Sequence, residues 1–390
     1  LMEVSAIPPE GRALLAGAHS RTATIDHEAL GGILGQVTDW DFLLRAAAWH
    51  HVAGLLHHTF QPHAAVIPAR VQAELHRMHG TISRHNLLLT GEVLRLLQAF
   101  AAADVPVVPL KGPALAALCY QRFSLRPAGD IDLLVPRPQF AAADAVLRAA
   151  GYRVASCAAS ADEAMDAQIG REYVHPERKA VAELHGYFLH AMHQFALTPE
   201  AVWHRLATTT LDGRTIPCLS PEDTLLYLCA HGAKHHYERL KWVGDIAELL
   251  WSDAALDWSV VWARADALRS RRLLLLGLHL ADRLLGAPVP QPLAHEAATN
   301  AAVRRMAQQV VRWLFTEPFH RPESLAAYRF HLQMRERWRD RRAYLAHLAT
   351  LAVQPTAKDR AFVPLPRALD PLYYAVRPLR LAYDAMTGAA

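Results

Sequence analysis

The sequence predicts an α+β fold, a small mixed sheet flanked by mainly α-helical amino- and carboxy-terminal regions. Three observations carry this expectation. Apolar residues recur at three and four from Trp40 to about Ala103, short strand-type runs alternate with helix patterns from Val105 to about Gly186, and beyond Thr198 almost everything reads helical again. The chain is therefore divided into a helical region 1–103, an α/β core 104–198 and a helical domain 199–390. At 390 residues, 52% of them hydrophobic, it can bury a large core.

In the first region Phe42, Leu43, Ala46, Ala47 and His50 share a helix face, Pro62 and Pro68 mark a loop, and Val71 to Phe100 repeats the period with Gly80 as a candidate break. Val105 to Leu110 is a short strand-type run. Lys111-Gly112 then forms a turn, and Pro113 suits the first position of a helix. A strand feeding a helix N-terminus in this way turns unpaired N–H groups towards an anion.

Asp130 and Asp132 stand two apart at the head of the next apolar run, Ile131 to Val135, and alternate strand side chains point the same way, about 7 Å apart. Each carboxylate raises the pKa of the other unless a cation neutralises both, so a divalent metal is the economical reading. Glu183, in the run Val181 to Leu184, would come from a neighbouring strand as a third carboxylate. Oxygen-only ligands favour Mg²⁺ or Mn²⁺ over zinc. The competing reading has Asp130 and Asp132 capping a turn and pairing with Arg122 or Arg126, with Glu183 solvated. The preceding strand-Lys-Gly-helix unit and the later Glu-bearing strand favour the metal.

Pro136 and Pro138 introduce a helix from Gln139 to Ala150, Gly151 stops it, and Tyr152 to Ser156 resumes as strand. Tyr173 to His175 and Ala180 to His185 read as an antiparallel pair across residues 176–179. The small, acidic stretch from Ala158 to Ile169 reads as a mobile loop. Ser220-Pro221-Glu222-Asp223 is a capped helix start. On that helix His231 and His235 have zinc-ligand spacing, but Gly232 stands where a zinc peptidase needs glutamate. Arginines around Trp338, from Arg335 to Arg342, suggest RNA phosphates or a membrane surface; interleaved Glu336 and Asp340 favour a solvated helix face. Pro355 to Pro371 links to a final segment, Tyr373 to Tyr383, expected to pack back on the body.

A formal charge of +4 is small for this length and does not argue for nucleic acid, although 23 histidines add basicity in mild acid. Cys119, Cys157, Cys218 and Cys229 lack CxxC spacing and suit free thiols in a reducing cytoplasm. No secretory leader pattern opens the chain, and the run Leu273 to Leu285 is too short and too interrupted for membrane insertion. A cytoplasmic location is expected.

Taken together, Lys111-Gly112, Arg126, Asp130-Ile-Asp132-Leu-Leu-Val, Glu183-Leu-His185, His231-Gly232 and Leu240-Lys241-Trp-Val-Gly-Asp245 resemble the bacterial uncharacterised nucleotidyltransferase family of the DNA polymerase beta-like superfamily. The similarity runs from about Trp40 to Arg377-Pro378. It implies a polymerase-beta-like sheet, with Asp130 and Asp132 binding Mg²⁺ together with a nucleoside triphosphate such as ATP, and Glu183 completing the site. Where the superfamily has Gly-Ser, this chain has Lys111-Gly112, which implies a lysine-based variant of triphosphate binding. Arg126, Lys234, Arg239 and Lys241 are candidate cations for the triphosphate or acceptor; for Lys241 the bland alternative is a solvent-exposed pair with Asp245. His185 either reaches the acceptor or caps the sheet edge. The implied reaction moves a nucleoside monophosphate to an acceptor, a peptide, small molecule or sugar, with tRNA a further option, and releases pyrophosphate. Rival readings are transfer of a phosphoryl or glycosyl group on the same fold, and a non-catalytic adaptor that binds a peptide or protein.

Overall fold

The computed structural model describes residues 7–21, 25–120, 122–155, 170–189, 195–252, 255–317, 319 and 324–387. The expected loop at 158–169 and Cys157 lie outside them. Four helices, Pro9–Gly17, His27–Leu34, Trp40–Trp49 and Ala53–Phe60, lead into Ala69–Ala102, which is 34 residues long. Asp26 and Asp39 cap the second and third of these through Ala29 N and Phe42 N. Gly80 does not break the long helix. A helical glycine costs only about 1 kcal/mol, and the burial of Leu75 before it and Leu89, Val93, Leu96 and Phe100 after it outweighs that.

The sheet is built from β1 (Val108–Pro109), β2 (Ile131–Leu134), β3 (Arg153–Val154), β4 (Gly170–His175) and β5 (Ala180–His185), in the spatial order β1-β2-β5-β4-β3. β2 and β5 are parallel and every other pair is antiparallel, so the sheet is mixed. The run from Val105 shrinks to the two residues of β1, because Leu110 and Lys111 already turn towards the helix Gly112–Cys119.

One expectation fails between Thr198 and Ser220. Ala207–Leu211 (β6) and Arg214–Cys218 (β7) form an antiparallel hairpin rather than helix. Asp212 and Gly213, at φ 49° and 73°, supply the two left-handed residues that a tight Asp-Gly hairpin turn requires. The hairpin packs on the helix Gly112–Cys119 and on β1.

Two apolar cores result. One gathers the sheet and the second half of the long helix; the other joins the amino-terminal helices to the carboxy-terminal ones, with Arg271–Leu285 buried at its centre. The long helix belongs to both, through Val71 and Leu75 at one end and Leu89 to Phe100 at the other. Among the described residues none past Met334 joins either core. The last helices, Trp338–Val353, Ala357–Phe362 and Tyr373–Thr387, pack chiefly on one another. Among the described residues no helix is long and apolar enough to cross a membrane.

Candidate functional site

Register between the two parallel strands builds the site. Ile131 lies opposite Ala182, Asp132 opposite Glu183, Leu133 opposite Leu184 and Leu134 opposite His185. Along β5 the burial alternates: Ala180, Ala182 and Leu184 are buried, while Val181, Glu183 and His185 are half-buried. One face therefore carries the apolar core, and the other sets Asp132, Glu183 and His185 side by side. Donor atoms of these three all lie within 4.8 Å of one another, the only such group of possible metal ligands among the described residues.

Asp132 is wholly buried. Its Oδ1 accepts from Lys111 Nζ at 3.0 Å and from His185 Nε2 at 3.0 Å, while its Oδ2 has no hydrogen-bond partner. His185 Nε2 also lies 3.2 Å from Glu183 Oε2, and the Glu183 side chain keeps 35% of its surface exposed. Burial alone would raise the Asp132 pKa, but the charges and hydrogen bonds of Lys111 and His185 bring it well below the ordinary carboxylate value. The same contacts overcome the desolvation of His185 and push its pKa up to about 9. Glu183 is lowered by its hydrogen bond with His185. A buried carboxylate oxygen with no donor, next to a half-exposed carboxylate, is a donor set that suits a hard divalent cation.

Asp130 precedes β2. Burial, and then the Asp132 charge, push its pKa up to about 6, while Lys111 and Lys241 pull the other way. The loop before it is held by Asn86 of the long helix, whose Nδ2 donates to the carbonyls of Phe123 (2.6 Å) and Arg126 (2.8 Å) and whose Oδ1 accepts from Ala128 N. Gly112 has φ +61°, and a Cβ there would lie 3.1 Å from the Asp130 carbonyl oxygen. Glycine is needed at this turn for both reasons. The Asp130 carboxyl thus feels the charges of Asp132, Lys111 and Glu183, but His185 takes the third place in the tightest ligand group.

From the helical lobe, Pro221–Lys234 and Leu240–Trp251 bring Tyr227 and Lys241 within reach of these charges. Ser220 caps the first as expected, accepting from Asp223 N at 3.3 Å. Tyr227 on that helix is buried; desolvation raises its pKa, with Asp132, Glu183 and Asp130 adding to the rise and Lys111 opposing it. Burial pushes Lys241 down to about 8, and the Arg126 charge adds to the fall. Lys234 ends the helix, one turn past His231, whose own pKa is held low by burial and by Lys111, His235 and Lys234. His231 and His235 join an aromatic ladder: their rings are 4.7 Å apart, and His235 stacks on Trp242 at 4.8 Å.

Arg126 is buried and engaged. Its Nε and Nη2 donate to the two oxygens of Asp245 at 2.6 and 2.9 Å, and its Nη1 lies 3.5 Å from the Gly112 carbonyl. Tyr120 adds a third donor to Asp245 at 2.8 Å. Asp245 is buried too, which corrects the picture of a solvent-exposed Lys241–Asp245 pair: the low-dielectric interior selects the bidentate guanidinium over a single ammonium. Arg126 does not pair with the strand aspartates; Lys111 and His185 do.

Residues underweighted from sequence are thus His185, Asp245 and Tyr227. Strand alternation sets His185 on the Glu183 face, whereas nothing local marks Tyr227. Cys119, Cys218 and Cys229 are buried free thiols.

Comparison with known proteins adds one finding. Residues 36–286 match the family model described as "Uncharacterised nucleotidyltransferase". Neither the curated proteins nor the solved structures gave a match.

Proposed function

The chain belongs to this nucleotidyltransferase family, and on that premise we propose that it moves a nucleoside monophosphate from a nucleoside triphosphate to an acceptor, with release of pyrophosphate. The observation that carries the reading is the in-register pair Asp132 and Glu183, with an unpartnered, buried Oδ2 on Asp132, at the foot of the Lys111-Gly112 turn. Asp130, Asp132 and Glu183 are the residues to hold Mg²⁺ or Mn²⁺. Bound there, the cation neutralises triphosphate charge and acidifies the attacking group of the acceptor.

The chain's own groups divide the remaining work. Lys111 exchanges its contact with Asp132 for the triphosphate, and the Gly112 backbone lets phosphate approach closely. Lys241 and Lys234 add cations from the helical lobe. Arg126 keeps the turn in place through Gly112 and Asp245, and His185 orients Asp132 and Glu183. Glu183, whose side chain keeps 35% of its surface exposed, accepts the acceptor's proton. The acceptor oxygen bonds to the α-phosphorus, the bond from that phosphorus to the α–β bridging oxygen breaks, and pyrophosphate leaves with the electron pair. Positioning and charge neutralisation suffice, without a covalent nucleophile.

Incubating the full chain with Mg²⁺, each labelled triphosphate and pooled peptide, sugar and tRNA acceptors tests this. Pyrophosphate is expected, lost in Asp132→Asn and Glu183→Gln, and the mass added to the acceptor names the donor. Orthophosphate or nucleoside diphosphate as the product would replace this reading with phosphoryl or glycosyl transfer, and no turnover with unimpaired cellular function of Asp132→Asn would favour the adaptor.

A further inference from the structure

The carboxy-terminal arm, residues 336–387, is inside out. Its buried side chains include a full ion network: Asp359 accepts from Arg380 Nε at 2.6 Å, from Arg377 Nη1 at 3.3 Å and from Thr356 Oγ1 at 2.6 Å, and Arg380 also pairs with Asp384. Among the described side chains of the arm the buried apolar residues are Tyr344 and Tyr373, and Tyr373 spends its hydroxyl on Val363 O and Leu365 N. Outwards the pattern reverses. On Tyr373–Thr387, where side chains are described, the exposed positions are Tyr374, Ala375, Pro378, Leu379, Leu381, Ala382 and Tyr383, with no charge among them.

This is a property of the segment, not of the whole surface. Of seventeen large apolar side chains exposed among the described residues, ten lie in the arm, between Trp338 and Tyr383. Trp338 keeps 65% of its surface exposed and Leu379 keeps 70%. A water-facing surface of this kind is uncommon unless something covers it.

The charges say what does. Where side chains of the arm are described, every exposed charged one is a cation: Arg337, Arg339, Arg342, Lys358 and Arg360; the acids Glu336, Asp340, Asp359, Asp370 and Asp384 are buried or half-buried. Glu336 accepts from Arg272 N, and Asp340 lies 3.8 Å from Arg269, so both face the body. Interleaved acids favour a solvated face for this stretch; the structure turns them inwards together with Arg335, and leaves Arg337, Arg339, Arg342 and Trp338 outside. Exposed aromatic and aliphatic residues bordered by Arg337, Arg339, Arg342 and Lys358, with Arg360 paired to the part-exposed Asp370 at 2.8 Å, match the headgroup region of an anionic bilayer, where aromatic rings sit at the interface and Arg or Lys meets lipid phosphate.

We propose that the arm is a peripheral membrane-binding surface for anionic phospholipid, lying in the interface without crossing it. It leaves the carboxylate site untouched and does not depend on the reaction assigned to it.

Co-sedimentation of the full chain with vesicles tests the proposal. Binding is expected to vesicles of phosphatidylcholine with about one third phosphatidylglycerol, to weaken with salt, and to be at least tenfold weaker to phosphatidylcholine alone. Leu379→Glu with Leu381→Glu should cut the binding at least about tenfold, with the melting temperature and any pyrophosphate release unchanged. Arg339→Glu with Arg342→Glu provides a second variant on another helix, with the same expectation for binding. Trp338→Phe should remove a blue shift of tryptophan emission seen on adding the anionic vesicles. Absence of vesicle binding, equal binding to both vesicle types, or a self-association that the Leu379→Glu/Leu381→Glu variant abolishes without any vesicle binding, would overturn the proposal; the last would assign the face to a second copy of the chain.

Discussion

Two clusters of buried charge flank the Lys111-Gly112 turn, and they are built to opposite rules. At Arg126–Asp245 both carboxylate oxygens face guanidinium nitrogens, Tyr120 fills a further acceptor position, and both side chains are almost fully enclosed. At Asp132 one oxygen takes two cations while the other takes nothing, and the neighbouring Glu183 opens to solvent. A complete buried pair fixes geometry; an incomplete one keeps capacity for a ligand. The contrast separates a clamp from a site although both are made of Asp and a basic side chain.

The sharpest way to break that contrast is Asp132→Asn. We expect about a thousandfold loss of turnover, in the range of a lost transition-state electrostatic contact. Wild-type protein should also gain melting temperature on addition of Mg²⁺ or Mn²⁺, and the variant should not. Glu183 remains to pair with His185 and Lys111 keeps some access to water, so the fold should survive. A variant that kept the metal-induced shift would place the cation elsewhere.

Arg126→Ala inverts the outcome. Leaving Asp245 buried without its partner should cost about 3–5 kcal/mol in urea unfolding, and activity measured on the folded fraction should change far less than in Asp132→Asn. Arg126→Lys keeps the charge but loses the fork, so it should fall between wild type and alanine in stability. If Arg126→Ala instead raised KM for the triphosphate with stability intact, the clamp would be a phosphate contact.

The difference between the clusters was only half legible in the sequence. The shared face of Glu183 and His185 is legible because strand alternation is a local rule, whereas Asp130 precedes β2 and stands outside the tightest ligand group. Parallel pairing of β2 with β5, which sets Asp132 opposite Glu183, is a long-range register that no local pattern states. Likewise Asp245 looked like the i+4 partner of Lys241, since helical spacing is all that the sequence displays, while its actual partner lies 119 residues away. The hairpin at 207–218 was missed although its Asp212-Gly213 turn was in plain view: Thr208 to Thr210 lack the apolar alternation that would have marked a strand. The outward apolar face of the arm escaped because a helix that buries charge and exposes leucine has the same periodicity as one that does the reverse.

A third buried acid sharpens the comparison, because it has neither a guanidinium fork nor a ligand-ready oxygen. Glu248, one turn beyond Asp245, accepts from Ser20 N at 2.7 Å and from Ser20 Oγ at 2.5 Å. Burial pushes its pKa from 4.5 up to about 7, with the Asp245 charge adding to the rise and Ser20 and Arg21 opposing it. In the window between these values the folded protein holds a proton that the unfolded chain has lost, so stability falls as pH rises. The contribution is complete below pH 4.5 and gone above about 7, a change of about 3 kcal/mol. Glu248→Gln cannot ionise and should show a flatter curve: near equality with wild type at pH 5, and greater stability than wild type at pH 8. Parallel curves for the two proteins would mean that Glu248 stays charged, and that its burial against Ser20 does not set it apart from Asp245.

The mildest perturbation tests whether the turn between the clusters matters to both. Gly112→Ala meets two costs: a left-handed φ of +61°, worth about 1 kcal/mol to a residue with a Cβ, and a 3.1 Å approach to the Asp130 carbonyl oxygen that backbone must relieve. Together about 1–2 kcal/mol of stability should be lost. Relief of that contact moves either the Asp130 backbone, which carries the strand aspartates, or Gly112 itself, whose carbonyl lies 3.5 Å from Arg126 Nη1. The two are separable. Displacement of the aspartate strand should weaken the Mg²⁺- or Mn²⁺-induced rise in melting temperature, whereas displacement of the turn should leave that rise intact and raise KM for the triphosphate. A variant with ordinary metal response and ordinary KM would show that neither cluster depends on the glycine, and that the backbone N–H groups of the turn do not hold phosphate.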